Sequence, residues 1–156
     1  MIKLKVGHSV VINLPAEEIF AYVSNFENLV EWSGAVISIR KTSPGSLDVG
    51  ARMESTIRFL GRWLNMTYEI VEYEPCRHLA FKSISGVAPC FFCYQFEPVE
   101  GNRTNFSQET MIDLTGTPLG LAESVVKNAV LRQIEYDLLT LKELLEARAA
   151  ICTSAG

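Results

Sequence analysis

Apolar and polar residues alternate with a period of two along most of the chain between residues 2 and 112. The alternation is clearest in residues 51–59, where Met53 and Ile57 lie on one face of the predicted strand and Arg52 lies on the other. Such a pattern predicts half-buried β-strands, and short connections rich in Gly, Pro, Asn and Ser separate the segments. The sequence therefore predicts seven strands, at residues 2–12, 35–40, 51–59, 64–70, 79–84, 90–97 and 103–112.

Two short helices are predicted between the first and second strands. Pro15 suits the first position of a helix, and Glu17 and Glu18 would then lie in the first turn, where the helix dipole favours acidic side chains. A second helical segment covers Asn28–Trp32 and ends at Gly34.

The last element is a long helix predicted over Thr117–Arg148, with Thr117 as its N-cap and Pro118 at its first position. At 1.5 Å per residue it would run ~46 Å, which exceeds the diameter of a compact domain of this size. Its solvent face carries Ser124, Asn128, Arg132, Glu135, Lys142, Glu143 and Glu146. Its opposite face needs a partner, which the strands can supply, and carries Leu119, Ala122, Val126, Val130, Ile134, Leu141 and Leu144.

Together these elements predict an α+β fold in the order β-α-α-β-β-β-β-β-β-α. Antiparallel strands joined by tight turns would form a curved sheet wrapped around the long C-terminal helix. The length fits a single domain over residues 1–150. Residues 151–156 are short and rich in small side chains, so we expect a disordered tail there.

Charge and hydropathy narrow the classes of partner. The formal net charge is −4 and no run of basic residues occurs, which disfavours nucleic acid, a polybasic membrane anchor and polyanionic partners in general. No stretch has the length or apolar character of an export signal or a membrane span. We therefore expect a cytoplasmic protein.

The four cysteines are interpreted as buried free thiols. Cys90 and Cys93 have C-x-x-C spacing, but on a strand residues three apart point to opposite faces. Cys76 and Cys152 add no second ligand pair, and the two histidines lie in no metal-binding motif. Neither a metal nor a cofactor is predicted.

Several motifs resemble those of one known family over about residues 3–148. They are Ile12-x-x-Pro15-x-x-x-Ile19-Phe20, Trp32 after the second helix, Gly50 before the third strand, Glu72-Tyr73-Glu74-Pro75-x-x-x-Leu79 and Gly101-x-Arg103-Thr104. The chain thus resembles the polyketide cyclase/dehydratase and lipid-transport group of the START-like, helix-grip superfamily. The resemblance implies that a hydrophobic small molecule binds between sheet and helix. Some members catalyse cyclisation or dehydration there, and others carry or sense the ligand.

The inward faces of strands three to seven form a mostly apolar set with a few hydroxyls and one amide, which is typical of a small-molecule pocket. The alternative is a filled core. Ser55, Gln108 and Thr110 favour the pocket, because an unpaired buried polar group costs ~1–3 kcal/mol. Thr104 is expected on the same face. The predicted ligand-binding residues are Met53, Ser55, Ile57, Met66, Tyr68, Phe81, Phe92, Tyr94, Phe106, Gln108, Thr110, Val126, Val130 and Gln133.

Asp137 falls at the centre of the apolar face of the long helix, with Gln133 beside it. Its carboxylate could lie near the cavity, pair with an arginine of the sheet, or lie beyond the sheet edge in water; the length of the helix favours the last. Unpaired in an apolar pocket, it would have a raised pKa and could act as a general acid or base. The catalytic candidates are Tyr68, Tyr94 and Asp137.

No nucleophile paired with a base and no phosphate-binding loop is present in the sequence. The favoured hypothesis is a carrier or sensor of a lipid, aromatic or polyketide-like molecule. The second is a cyclase or dehydratase that uses the same cavity, and the third is an interaction module with a filled core. Leu121 and Leu139 on the solvent face leave a homodimer open.

Overall fold

The structure, a computed structural model, describes residues 3–116 and 122–155. The elements are β1 (Lys3–Ile12), α1 (Ala16–Val23), a 3₁₀ turn (Phe26–Asn28), α2 (Leu29–Trp32), β2 (Val36–Lys41), β3 (Arg52–Phe59), β4 (Arg62–Glu74), β5 (His78–Ser85), β6 (Cys90–Val99), β7 (Arg103–Asp113) and α3 (Glu123–Ala155). The predicted α+β fold and its order of elements are confirmed.

The seven strands form one antiparallel sheet in the spatial order β1-β7-β6-β5-β4-β3-β2. From β2 to β7 each strand pairs with the next along the chain, and β1 pairs with β7. The connections β3–β4 and β5–β6 therefore lie at one end of the sheet, with the segment that follows β7. The connections β2–β3, β4–β5 and β6–β7 lie at the opposite end.

The inner face of the sheet packs against the helices to form one core. Ile70, Leu79 and Phe106 from the strands and Leu138 and Leu141 from α3 are all fully buried. Burying an aliphatic or aromatic side chain of this size contributes about 1.5–3 kcal/mol to stability. The core thus fixes the central part of α3 against the sheet.

The two short helices are held by aromatic contacts and by α3. Phe20 of α1 packs edge-on against Phe96, with 5.3 Å between ring centroids. The guanidinium of Arg148 lies 5.1 Å from the ring centroid of Tyr22 and donates a hydrogen bond of 3.0 Å to Glu31. These contacts join α1, α2 and the C-terminal part of α3.

The long helix differs from the prediction at its C-terminal end. It continues past Arg148 to Ala155, because no proline or glycine precedes Gly156 and alanine favours helix. The segment from residue 151, expected to be disordered, is helical as far as Ala155. The predicted N-cap Thr117 and Pro118 lie outside the described residues.

Most side chains of α3 lie on the predicted face, with a few corrections. Val126, Val130, Ile134 and Leu141 are buried, and the predicted polar residues at 124, 128, 132, 135 and 143 are exposed. Ala122 lies before the helix and is exposed, and residue 145 is buried more deeply than Leu144.

Two polar side chains predicted to face solvent instead attach α3 to β1. The Lys142 ammonium donates a hydrogen bond of 2.7 Å to the carbonyl of Val11 and another of 2.7 Å to Glu146. The Glu146 carboxylate also accepts a hydrogen bond of 3.0 Å from the backbone N–H of Asn13. The C-terminal half of α3 is therefore tied to the edge of the sheet by polar contacts as well as by the core.

The cysteines are free thiols, as predicted, but they are less buried than expected. Cys76, Cys90 and Cys93 are half-buried, and Cys152 is exposed. Cys90 faces inward, whereas Cys93 lies on the outer face beside His78, with 3.6 Å between its Sγ and Nδ1 of the imidazole. The two cysteines of the C-x-x-C pair thus lie on opposite faces of the sheet.

Candidate ligand-binding site

A cavity of about 160 Å³ lies between the inner face of the sheet and the N-terminal half of α3. This is well above the roughly 10–15 Å³ that one water molecule requires. The cavity reaches the end of the sheet where the β3–β4 and β5–β6 connections lie, since Phe59, Leu64 and Val87 line it. Val126 and Val130 form its wall on the helix side.

Aromatic rings in mutual contact form the sheet side of the cavity. Phe81 and Phe92 stack with 4.8 Å between their ring centroids. Tyr68 meets both rings edge-on at 5.4 and 5.6 Å, and Tyr94 meets Phe81 at 5.7 Å. Edge-on and stacked pairs of this kind restrict one another's rotation, so this wall is rigid and mostly apolar.

Two buried polar atoms of residues that line the cavity lack a hydrogen-bond partner within residues 3–116 and 122–155. They are the indole N–H of Trp32 and the amide oxygen of Gln108. The Gln108 Nε2 donates a hydrogen bond of 3.4 Å to Thr110. An unpaired buried group costs about 1–3 kcal/mol, so each of these two atoms lowers the stability of the fold unless it gains a partner.

Other polar groups of the site are already satisfied. The Ser55 hydroxyl, which we expected to favour an open pocket, donates a hydrogen bond of 2.9 Å to the carbonyl of Ser38. Thr104, expected on the cavity face, is fully buried and donates a hydrogen bond of 2.8 Å to the carbonyl of Leu14. Both hydroxyls therefore hold the backbone in place.

The two tyrosines have strongly raised pKa values. Burial raises the pKa of the Tyr68 hydroxyl well above its usual range, and the nearby Cys90 thiol adds to the effect. Burial also raises the pKa of the Tyr94 hydroxyl, with further contributions from Asp137 and Tyr68. Both hydroxyls stay protonated at neutral pH, where they can donate hydrogen bonds to a ligand but not act as bases.

Asp137 is buried, with 5% of its surface exposed, and it lines the cavity. Its carboxylate accepts hydrogen bonds of 2.9 Å from the Ser33 hydroxyl, 2.9 Å from the backbone N–H of Gly34 and 2.8 Å from the Gln133 amide. The favoured expectation of a wet position was wrong. In the described part of the chain these three donors, rather than an arginine, are its hydrogen-bond partners.

Burial raises the pKa of the Asp137 carboxyl, and the hydrogen bonds from Gly34, Gln133 and Ser33 offset part of that rise. The same bonds join α3 to the turn between α2 and β2, 103 and 104 residues away in sequence. The carboxyl therefore both positions the helix over the cavity and supplies a titratable group at its wall.

Twelve of the fourteen residues predicted to bind a ligand line the cavity: Ser55, Ile57, Met66, Tyr68, Phe81, Phe92, Tyr94, Gln108, Thr110, Val126, Val130 and Gln133. Met53 and Phe106 do not, although they face inward as expected, because they are completely buried in the core. Phe106 instead packs against Phe96 and Trp32.

The prediction missed residues from α2, the turn after it, the strands and their connections, and one residue of α3. Those on strands, such as Phe59, could have been found from the same alternation that identified their neighbours. Trp32 and Ser33 had no periodic signal. The missed lining residues are Leu29, Trp32, Ser33, Ala35, Val36, Ile39, Phe59, Leu64, Val87, Ala88, Cys90, Ile112, Leu114 and Ile134.

Four further expectations concern a metal site, a membrane-spanning helix, a homodimer and the cellular location. Within the described ranges no three His, Cys, Asp or Glu side chains are grouped so that they could hold a metal ion. No described helix has the length and hydropathy needed to cross a membrane. Leu139 is exposed and Leu121 lies outside the described residues, so the homodimer stays a prediction. The cytoplasmic location also stays a prediction.

Solved structures show the same fold. A START superfamily protein from Mycobacterium smegmatis matches with a TM-score of 0.79 at 14% identity, over 92% of this chain and 97% of that chain. An aromatase/cyclase from a Streptomyces species matches with a TM-score of 0.76 at 13% identity, over 95% and 96% of the two chains. A Thermus thermophilus protein matches with a TM-score of 0.79 at 20% identity, over 93% and 99%.

No curated protein matches the sequence. A family model does, however, and it is described as polyketide cyclase / dehydrase and lipid transport. Its match covers residues 3–146, which is nearly the whole chain. The chain therefore belongs to the polyketide cyclase / dehydrase and lipid transport family.

Proposed function

We propose that the protein binds a hydrophobic small molecule, of lipid, aromatic or polyketide-like chemistry, between the sheet and α3 and acts as its carrier or sensor. The observation that carries this proposal is an apolar cavity lined by two residues that each have a buried polar atom without a partner among the described residues, the indole N–H of Trp32 and the amide oxygen of Gln108. Apolar walls supply affinity in such sites, and a few polar groups orient the ligand. The family description, which includes lipid transport, agrees with this role.

The polar groups define the chemistry that the ligand should carry. It needs one acceptor for the Trp32 indole and one donor for the Gln108 amide oxygen, so a hydroxyl or a carbonyl with an adjacent hydroxyl fits. Among the described residues no arginine or lysine lines the cavity, and Asp137 does line it. A neutral ligand is therefore favoured over an anionic one.

A binding experiment with a matched pair of variants tests the proposal. The probe is 1-aminoanthracene, a neutral aromatic amine whose fluorescence increases in apolar surroundings. Val130→Phe places extra volume inside the cavity, whereas Val125→Phe adds the same volume on the exposed face of the same helix. Overfilling a packed site costs about 1–3 kcal/mol, so Val130→Phe should weaken binding by roughly 5- to 150-fold and Val125→Phe should leave it unchanged.

The proposal fails if 1-aminoanthracene does not bind, or if both variants bind it as the wild type does. Native mass spectrometry of the purified protein provides an independent measurement. A co-purifying apolar molecule that is lost from Val130→Phe but kept by Val125→Phe would identify the class of the natural ligand.

The second candidate function is a cyclase or dehydratase reaction in the same cavity. The observation that favours it is the position of Asp137 at the cavity wall, where burial raises the pKa of its carboxyl. Asp137 also lies close enough to Tyr94 to raise the pKa of the Tyr94 hydroxyl. A protonated carboxyl and a phenol could act as general acids toward a carbonyl. The carrier is preferred because the Asp137 oxygens already accept three hydrogen bonds.

Tyr94→Phe separates the two functions, since it removes one hydroxyl and preserves the ring. A carrier should lose at most a few-fold in affinity, whereas an enzyme that depends on this hydroxyl should lose turnover by about 10²-fold or more. Asp137→Asn should change the affinity of a carrier little, whereas it should lower the turnover of an enzyme about as much as Tyr94→Phe does.

A further inference from the structure

The hairpin between β3 and β4 exposes apolar and basic side chains together. At its tip Leu60 is 43% exposed and Trp63 is 66% exposed. Arg58 lies directly across the hairpin from Trp63, Arg62 lies across from Phe59, and both arginines are exposed. A large exposed indole beside a leucine and two guanidiniums is an unusual arrangement for a surface that contacts only water.

The charge of this hairpin differs from that of the rest of the chain. Residues 55–68 contain two arginines and no acidic residue, whereas the whole chain has a net charge of −4. Arg58 and Arg62 form no salt bridge within the described parts of the chain. By contrast, glutamates pair with the four arginines Arg40, Arg52, Arg77 and Arg148.

The hairpin also borders one end of the cavity. Phe59 and Leu64, on either side of the tip, line the cavity itself. Leu60 lines a surface groove together with Val125 and Tyr136 of α3, whose side chains are also exposed. Apolar surface therefore continues from the cavity to the tip of the hairpin.

We propose that the β3–β4 hairpin docks the protein on an anionic lipid membrane, with Trp63 and Leu60 in the headgroup region and Arg58 and Arg62 on lipid phosphates. Tryptophan favours the membrane interface, and arginines near an anionic surface each add about 1 kcal/mol of attraction. Exposed apolar side chains next to exposed arginines match a lipid surface, which offers apolar and anionic groups side by side. The docking goes against the expectation, drawn from the net charge, that polyanionic partners are disfavoured.

Docking is independent of what the cavity holds, but it would bring this end of the cavity close to a membrane in which apolar molecules dissolve. The intrinsic fluorescence of the protein can report on it, because the chain has two tryptophans. Trp32 is buried, at 2% exposure, and Trp63 is exposed. A change of emission on adding vesicles therefore reports on Trp63, and Trp63→Phe should abolish that change.

The vesicles are phosphatidylcholine alone and phosphatidylcholine mixed with phosphatidylserine. We expect the wild type to co-sediment with the mixed vesicles, with a shift of tryptophan emission to shorter wavelength, and to release them at high salt. Each of Arg58→Gln and Arg62→Gln should weaken binding about fivefold. Leu60→Asn should weaken it further, and asparagine tolerates the positive φ of 50° at that position.

Matched controls lie at the opposite end of the sheet. Arg103→Gln removes an exposed arginine at the first position of β7, and Val49→Ser removes an exposed apolar side chain of the β2–β3 connection. Both should bind vesicles as the wild type does. Equal thermal denaturation midpoints would show that all the variants are folded.

The proposal is overturned if the wild type does not bind the mixed vesicles, or if the hairpin variants bind as tightly as the controls. A hairpin that instead recognises an acidic protein would give the first of these results. Binding of 1-aminoanthracene without vesicles should be unchanged in the hairpin variants at positions 58 and 62. A failure of docking is thus distinguishable from a failure of the proposed ligand binding.

Discussion

Replacement of Asp137 tests how α3 is held over the cavity. Its carboxylate accepts hydrogen bonds from Ser33, Gly34 and Gln133, and Asp137→Ala would leave these donors without their acceptor in a buried place. At about 1 kcal/mol for each hydrogen bond the loss is about 3 kcal/mol. For a chain of this length that corresponds to a fall of roughly 6–12 °C in the melting temperature.

Asp137→Asn keeps the shape of the side chain and removes its charge. Gly34 and Gln133 both donate to Oδ1 of Asp137, so an amide oxygen in that place can still accept from both, and the amide nitrogen can donate to the Ser33 hydroxyl. All three contacts can therefore be retained. Burial raises the pKa of the wild-type carboxyl, so ionisation of this group opposes folding. Around pH 8 the Asn variant should therefore be at least as stable as the wild type.

The sign of the pH dependence follows from that raised pKa. Between the unfolded pKa, about 3.9, and the higher folded pKa, the folded protein binds more protons than the unfolded chain, so stability falls as pH rises. The loss of stability caused by burying the ionised carboxylate is complete above the folded pKa and absent below the unfolded pKa. The stability of the wild type minus that of Asp137→Asn should thus decrease with pH, because other titrating groups cancel in the difference.

Urea denaturation of wild type, Asp137→Asn and Asp137→Ala over about pH 4 to 8 supplies the measurement. A loss below about 0.5 kcal/mol in Asp137→Ala would mean that the carboxyl is not holding α3. A difference between wild type and Asp137→Asn that is independent of pH would refute the raised pKa.

Three further predictions concern the turns, the cavity and the thiols. Gly86→Ala should lower stability by about 1 kcal/mol more than Gly45→Ala in thermal denaturation. Both residues have positive φ, but only at Gly86 would a new Cβ meet a neighbour, the end of the Met66 side chain, which must then shift. Equal losses would contradict this. Gln108→Leu should raise stability by about 1 kcal/mol, because it removes the unpartnered oxygen, and a loss would show that the oxygen has a partner. Iodoacetamide should alkylate the exposed Cys152 before Cys93, because burial raises the pKa of the Cys93 thiol to about 11. Peptide mass spectrometry can verify the order, and alkylation of Cys93 first would contradict the raised pKa.

The strands could be predicted because two local signals agreed along the chain. The period-two alternation identified which side chains face inward, and Gly, Pro and Asn marked the turns. The pairing of neighbours in the sheet then followed from the short connections. The end of α3 was less predictable, since no residue near Arg148 stops a helix and small residues suit both helix and coil.

The cavity itself was only partly predictable from sequence. Alternation shows which face of the sheet a residue occupies. It does not show how far the space between the sheet and the helix extends. Met53 and Phe106 were therefore predicted to line the site, although they belong to the filled core. Asp137 was identified as an anomaly from its position on the apolar face. Its partners Ser33 and Gly34 could not be identified, because they are more than 100 residues away and carry no periodic signal.

The attachment of α3 is uneven along its length, and this has a consequence for exchange of the proposed ligand. Lys142, Glu146 and Arg148 tie the C-terminal half to β1 and to the short helices, whereas the N-terminal half, with Val126 and Val130, covers the cavity. Opening of the first turns would break few contacts, so it needs much less free energy than global unfolding. Amide hydrogens before Asp137 should accordingly exchange with solvent faster than those after it, and we expect the proposed ligand to enter and leave while the domain stays folded.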